Sequence, residues 1–143
     1  MECPIVTITS RNKSSKKAII LTARQHPGET VSSWMMRGAL FFLTDPDSKD
    51  ASLLRDNYII KLVPMMNPDG VINGNYRCSL AGCDLNRRWK HPSNVIHPTI
   101  YATKKLAKQL HLERGVVLFC DLHGHSRKQN VFMYGCDNRA DQE

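Results

Sequence analysis

The chain has 143 residues, 41% apolar and 23% charged, with a formal net charge of +7 and a pI near 9.3. That length suits one domain with a real core, and the composition is that of a globular chain. No apolar run reaches the ~18 residues of a membrane-spanning helix; the run around Tyr58-Ile59-Ile60 is broken by Lys61, and Met1-Glu2-Cys3-Pro4 does not open a secretory leader.

Taken in chain order, Ile5-Val6-Thr7-Ile8 alternates in β-branched residues and reads as a short strand, followed by a polar turn from Arg11 to Lys16. Lys17 to Ala23 is a continuous apolar run of strand length, the pattern of a strand covered on both faces. Thr30 to Leu43 has helical spacing, with Val31, Met35, Ala39 and Phe42 as the expected buried stripe. Asp45-Pro46-Asp47 ends that helix, because proline disfavours helical geometry in the residue before it. Tyr58 to Val63 is a second buried strand, closed by Pro64 and a turn at Asn67-Pro68-Asp69-Gly70.

Val71 to Asn94 shows no period and reads as a long polar connection, the kind of loop that carries function. His97 to His111 returns to helical spacing through Ile100, Leu106 and Leu110. Val116 to Cys120 is a third buried strand, and Asn130 to Tyr134 a further one. Strands alternating with helices predict an α/β fold: a mixed, largely parallel sheet with helices on both faces.

Five cysteines, Cys3, Cys78, Cys83, Cys120 and Cys136, form an odd, irregularly spaced set. Free thiols in a reducing, cytoplasmic setting are expected, rather than a disulfide framework or a zinc knuckle at Cys78 and Cys83. The basic excess suits an acidic partner, although solubility alone would account for it. Its charges are scattered and lack an aromatic platform, so nucleic acid is not an expected partner.

Ligand sites in such sheets form beyond the carboxyl ends of strands. Three polar clusters lie there: Gln25-His26-Pro27-Gly28-Glu29, Asn67-Pro68-Asp69-Gly70 and Asp121-Leu122-His123-Gly124-His125-Ser126. Catalytic zinc takes three protein ligands, imidazole and carboxylate among them, and keeps one position open. His26 and Glu29 can be aimed at one ion by the bend at Pro27-Gly28, with the third ligand arriving from a neighbouring strand end. Spacing alone does not choose between His123 and His125 for that role. Singly, His26 could cap a turn and Glu29 could favour a helix dipole; His91, His97 and His111 read as surface or loop residues.

Five ordered blocks then carry a resemblance: Thr22 to Thr30, Asn67 to Val71, Asn75 to Leu80, Asp84 to Arg87 and Asp121 to Lys128. In these the chain resembles the zinc carboxypeptidases, most closely the cytosolic carboxypeptidases that trim glutamate from tails such as those of tubulin. The resemblance implies one zinc ion on His26, Glu29 and His123, which settles the choice against His125. It implies Asn86 and Arg87 as a clamp for the substrate's terminal carboxylate, where a planar guanidinium matches a carboxylate with two hydrogen bonds. Arg77 would polarise the scissile carbonyl, and Asp84 would orient a ligand histidine. Arg127, beside Lys128, could favour acidic tails.

One departure stands out. The family's general-base glutamate lies on a late strand that nothing after Asn130 matches, and Glu143 is out of context for the role. The expectation is therefore that residues 1–143 form the N-terminal part of a catalytic domain, apparently truncated, with the ligands and clamp but little hydrolysis of its own. Two alternatives remain at this level: a zinc-containing binder of acidic C-terminal tails that does not cut them, and a zinc amidohydrolase of acylated amino acids.

Overall fold

The computed structural model describes residues 1–11 and 15–135. Its strands are β1 (Val6–Ile8), β2 (Lys17–Ala23), β3 (Tyr58–Val63) and β4 (Val116–Leu122), and its helices α1 (Thr30–Thr44), α2 (Lys49–Asn57), α3 (Pro68–Ile72) and α4 (Pro98–Arg114). They form a four-stranded sheet in the order β1-β3-β2-β4. β2 pairs in parallel with both β3 and β4, and only β1 runs antiparallel, along β3. The chain leaves β2 toward β3 on one side and later returns to β4 on the other. That reversal opens a crevice at the carboxyl end of β2.

Alternation along β2 explains why helices cover both faces. Ala23, with Ile19 and Leu21 against it, joins Met36 and Leu43 of α1, Ile60 and Leu62 of β3 and Ile8 of β1 in one core. Ala18 and Ile20 point the other way and pack on Leu110, Leu106 and Ala107 of α4. Val63, Met66, Leu85 and Ile100 form a third cluster that ties the long loop to α4. Each fully buried aliphatic side chain of this kind contributes about 1.5–3 kcal/mol. The mixed α/β sandwich expected from the sequence is present.

Several local expectations are corrected. The buried stripe of α1 is Ser32, Met36 and Leu43, whereas Val31 and Phe42 are exposed. This helix is apolar around most of its circumference, so its period did not select a face. Asn67 to Gly70 is not a bare turn. Asn67 accepts the Gly70 N–H at 3.0 Å and, with Pro68 at the first helical position, starts α3.

Among the described residues β4 is an edge strand, not a covered one, with Val117, Leu118 and Phe119 exposed by 49, 42 and 40%. Asn130 to Tyr134 joins no strand among the described residues, and Val131, Met133 and Tyr134 are exposed. His97 is buried at the start of α4, where its Nδ1 accepts the Ser93 N–H at 3.1 Å. Lys16, at the end of the expected polar turn, is buried too. Its ammonium donates to Thr9 Oγ1, Ser10 Oγ, Ser10 O and Arg55 O at 2.8–3.0 Å. Helix α2, capped by Ser48 accepting the Ala51 N–H, had not been expected. Cys136 lies outside the described residues.

Candidate active site

The site begins where β2 ends. Arg24 takes a left-handed backbone with φ of 56°, which costs energy for a residue with a Cβ. Local bonds hold it there: its N–H donates to Ser32 Oγ at 3.1 Å, and its guanidinium donates to Pro27 O and Ser33 Oγ, both at 2.8 Å. The reversal turns the chain into the His26-Pro27-Gly28-Glu29 bend. The Gly28 N–H donates to Tyr76 O at 2.7 Å, which fastens the bend to the long loop. Glu29 sits at the N-cap of α1 but makes no side-chain cap hydrogen bond. Its carboxylate faces the crevice instead.

Two imidazoles converge on that carboxylate. His26 Nδ1 lies 2.8 Å from Glu29 Oε1, and His123 Nδ1, 94 positions along the chain from Glu29, lies 2.9 Å from Oε2. The ring centroids are 4.9 Å apart. One donor atom from each of His26, Glu29 and His123 falls within 4.8 Å of the others. Tetrahedral zinc with bonds of about 2.0–2.1 Å separates its ligand atoms by about 3.4 Å, so this donor set fits such an ion. The chemistry fits as well, since two nitrogens and a carboxylate make a catalytic rather than a structural zinc set.

Each ring is anchored through its far nitrogen. His26 Nε2 lies 3.0 Å from Asp84 Oδ1, and His123 Nε2 lies 2.6 Å from Asp121 Oδ2. Asp84 is itself fixed by the Asn86 N–H on Oδ1 and by the Arg77 Nε and Nη2 groups on Oδ2, each at 2.9 Å. Asp121 receives the Thr22 hydroxyl at 2.7 Å, from its register partner on β2, and the side-chain amide of Gln25. A chain of formal charge +7 thus gathers three carboxylates around two imidazoles.

The titration of these groups reflects that basin. Partial burial pushes the Glu29 carboxyl up, but the Gly124 N–H, the His123 hydrogen bond and the nearby imidazole charges outweigh it and hold Glu29 below the usual carboxylate range. Burial also opposes ionisation of Asp84, and the hydrogen bonds from His26, Asn86 and Arg77 again prevail, lowering it. The hydrogen bond to Asp121 raises His123 above ordinary histidine, against partial desolvation, with the charges of Asp121 and Glu29 adding to it. A pocket that keeps its carboxylates ionised and favours the cationic form of His123 suits positive charge.

The other expected residues are placed as follows. Arg77 and Asp84 join the cluster through the bonds above. Asn86 and Arg87 lie in a short 3-10 turn, Leu85–Arg87, begun by Asp84, with the Arg87 side chain exposed. Arg127 is exposed, and its backbone N–H donates to His125 Nδ1 at 3.1 Å. His125 stands outside the cluster, with its Nδ1 also accepting the Lys128 N–H and its ring edge-on to Phe132. Asp121, Thr22 and Trp89 had been given no role. For Asp121 the signal was the Asp-x-His alternation, which puts both side chains on one side of a strand end.

Comparison with known proteins agrees with this geometry. A family model described as zinc carboxypeptidase matches residues 2–142. Cytosolic carboxypeptidase 2 of Xenopus tropicalis is 56% identical over 141 residues, which cover 95% of this chain and 14% of that protein. The chain therefore spans about a seventh of the length of that curated relative. Among solved structures, a putative carboxypeptidase A from Shewanella denitrificans superposes with a TM-score of 0.77 at 39% identity, covering 86% of this chain and 31% of the other. A metallo-carboxypeptidase from Pseudomonas aeruginosa, solved with (2-guanidinoethylmercapto)succinic acid, gives 0.76 at 36% identity, with coverage of 86% and 32%. With two imidazoles and a carboxylate already gathered at the strand ends, and a family match running almost from end to end, the chain belongs to the zinc carboxypeptidase family.

Proposed function

We propose that this chain supplies the metal-binding and carboxylate-recognising part of a zinc carboxypeptidase that removes C-terminal residues, glutamate foremost, from acidic polypeptide tails in the cytoplasm. Tubulin tails are substrates of the expected kind; neither nucleic acid nor membrane is part of this reading. The observation that carries it is the convergence of His26 Nδ1 and His123 Nδ1 on the two oxygens of Glu29, with both far nitrogens tied to carboxylates. One zinc ion is held by His26, Glu29 and His123. When bound, zinc supplies Lewis acidity toward a substrate carbonyl and toward water.

The chain's own residues do the rest. Arg77, steered by Asp84, presents its guanidinium to the scissile carbonyl and stabilises the negative charge that develops on its oxygen. Asn86 and Arg87, placed one turn beyond Asp84, receive the terminal carboxylate of the tail. The Pseudomonas aeruginosa relative was solved with a substituted succinic acid, a dicarboxylate, which supports carboxylate recognition by such proteins. Arg127 and Lys128 add positive charge near His123 and favour glutamate-rich tails.

Two measurements test the proposal. Elemental analysis should find one zinc per folded chain and none in His123→Ala. Tail peptides ending in glutamate should bind the zinc-loaded chain more tightly than neutral ones, and Arg87→Ala should erase that binding. A metal-free parent, or equal binding of both peptides, would sink the reading.

A further inference from the structure

Arg24 stands just ahead of the proposed ligands His26 and Glu29, and its φ of 56° is left-handed. That region is costly for a residue with a Cβ. Among the described residues only Asn130 shares the sign without being glycine, and asparagine reaches it through a short polar side chain that bonds locally. Arginine has no such excuse. A conformation of this kind persists only where its surroundings over-determine it.

Two sets of bonds do so here. The Arg24 N–H donates to Ser32 Oγ at 3.1 Å, and that hydroxyl donates to Glu29 O at 2.7 Å. The guanidinium straddles the bend: Nε donates to Pro27 O and Nη1 to Ser33 Oγ, each at 2.8 Å. Pro27 is buried and lies between the two ligands in the chain, whereas Ser33 belongs to the first turn of α1, just past Glu29. One planar fork therefore ties the bend that carries His26 to the helix start that carries Glu29. Arg24 makes no ion pair among the described residues. The fork serves through the placement of its donors.

We propose that Arg24 is a positioning residue for His26 and Glu29, holding their bend at the cost of a strained backbone. Its bearing on zinc rests on the ligand assignment proposed above. A cation that merely sat near the site would behave in the opposite way. Removing a positive charge strengthens Zn2+ binding by charge alone, whereas removing a group that aligns two ligands weakens it, typically 10–100-fold.

The test uses the full chain as parent, Arg24→Gly, Arg24→Ala, Ser33→Ala and the double variant Arg24→Gly with Ser33→Ala. Zn2+ affinity is read by competition with a chromophoric chelator. The urea midpoint and the exchange of the Gly28 and Glu29 amides, followed by NMR, are read without metal. Glycine accepts a left-handed φ and alanine does not. Arg24→Gly should thus have a higher urea midpoint than Arg24→Ala, while both bind Zn2+ about tenfold or more weakly than the parent and lose protection at the two bend amides. Ser33→Ala keeps the charge and the left-handed residue, and should also weaken Zn2+ binding. The double variant should bind no more weakly than Arg24→Gly, because Ser33 acts through the fork.

Zn2+ affinity that holds or rises in Arg24→Gly, or losses that multiply in the double variant, would overturn the proposal. If Arg24→Ala fails to fold, Arg24→Gly and Ser33→Ala carry the affinity and exchange tests. A parent that takes up no Zn2+, with protection at Gly28 and Glu29 still lost in Arg24→Gly, would remove the zinc assignment and leave the positioning role standing. Unchanged protection in that case would end both.

Discussion

Gly28 and Tyr76 are joined backbone to backbone: the Gly28 N–H donates to the Tyr76 carbonyl at 2.7 Å. A Cβ on Gly28 would stand 2.8 Å from that oxygen and press into the Tyr76 ring. Gly28→Ala should therefore push the His26–Glu29 bend off the long loop. Overpacking of this kind costs about 1–3 kcal/mol. A lowered urea midpoint with weakened zinc binding is expected; a full-affinity Gly28→Ala would show that the bend tolerates the shift.

Glu29 joins the two histidines, so its loss should be felt in metal binding before stability. Glu29→Gln keeps the shape and removes the charge. Its zinc affinity should fall by more than the ~100-fold that marks the upper end for outer partners. In the parent, zinc at a hundred times its dissociation constant should add about 2.7 kcal/mol to unfolding stability, and a chelator should reverse that gain. Thermal melts with and without zinc measure both effects.

The thiols of Cys3 and Cys120 are pushed up by burial, Cys120 also by the charge of Asp121. Cys3 Sγ donates to Met65 O at 3.3 Å. Since the thiolate is the reactive form, a raised thiol stays protonated further into the alkaline range. Both should react with iodoacetamide more slowly in the folded chain than in urea, with the sites mapped by mass spectrometry. Equal rates in the two states would contradict their burial.

Among the described residues, β4 pairs on one side only and carries the exposed Val117, Leu118 and Phe119. Such edges template association unless a charge interrupts them. Val117→Lys, at a half-exposed position, should reduce light scattering of concentrated chain while changing stability by no more than about 0.5 kcal/mol. Scattering that persists unchanged would place self-association elsewhere.

How far these features were legible differs by element. β2 and β3 were readable because a continuous apolar run between turn signals allows little else. The same signal misled at β4: Val116 to Cys120 has the composition of a covered strand and lies at an edge of the described sheet. Composition reports what a strand can bury, not which neighbours it has. α1 was found but rotated, because Trp34, Phe41 and Phe42 are apolar and exposed while Ser32 is polar and buried, donating its hydroxyl to Glu29 O. α2 was missed although Ser48 and Asp50 are a cap and a first-turn acid; its short, charged sequence gave no apolar period to follow.

At the site, the choice of His123 over His125 came from the family resemblance and not from spacing, whereas His26 and Glu29 were legible because they follow a strand end. Gln25 and Trp89 were not, since a hydrogen bond between residues 64 positions apart leaves no local pattern. Only the folded loop brings indole and amide together.

The pairing of Thr22 with Asp121 across β2 and β4 bears on assembly order. A slip of β4 by one residue would turn Asp121 to the opposite side of the sheet and carry His123 about 3.3 Å along the strand. Capture of a cation at Glu29 would then select one alignment among several apolar ones that Val116 to Cys120 would otherwise accept. On that view a bound ion would favour the native register, since its three donors meet only when β4 is docked in that alignment.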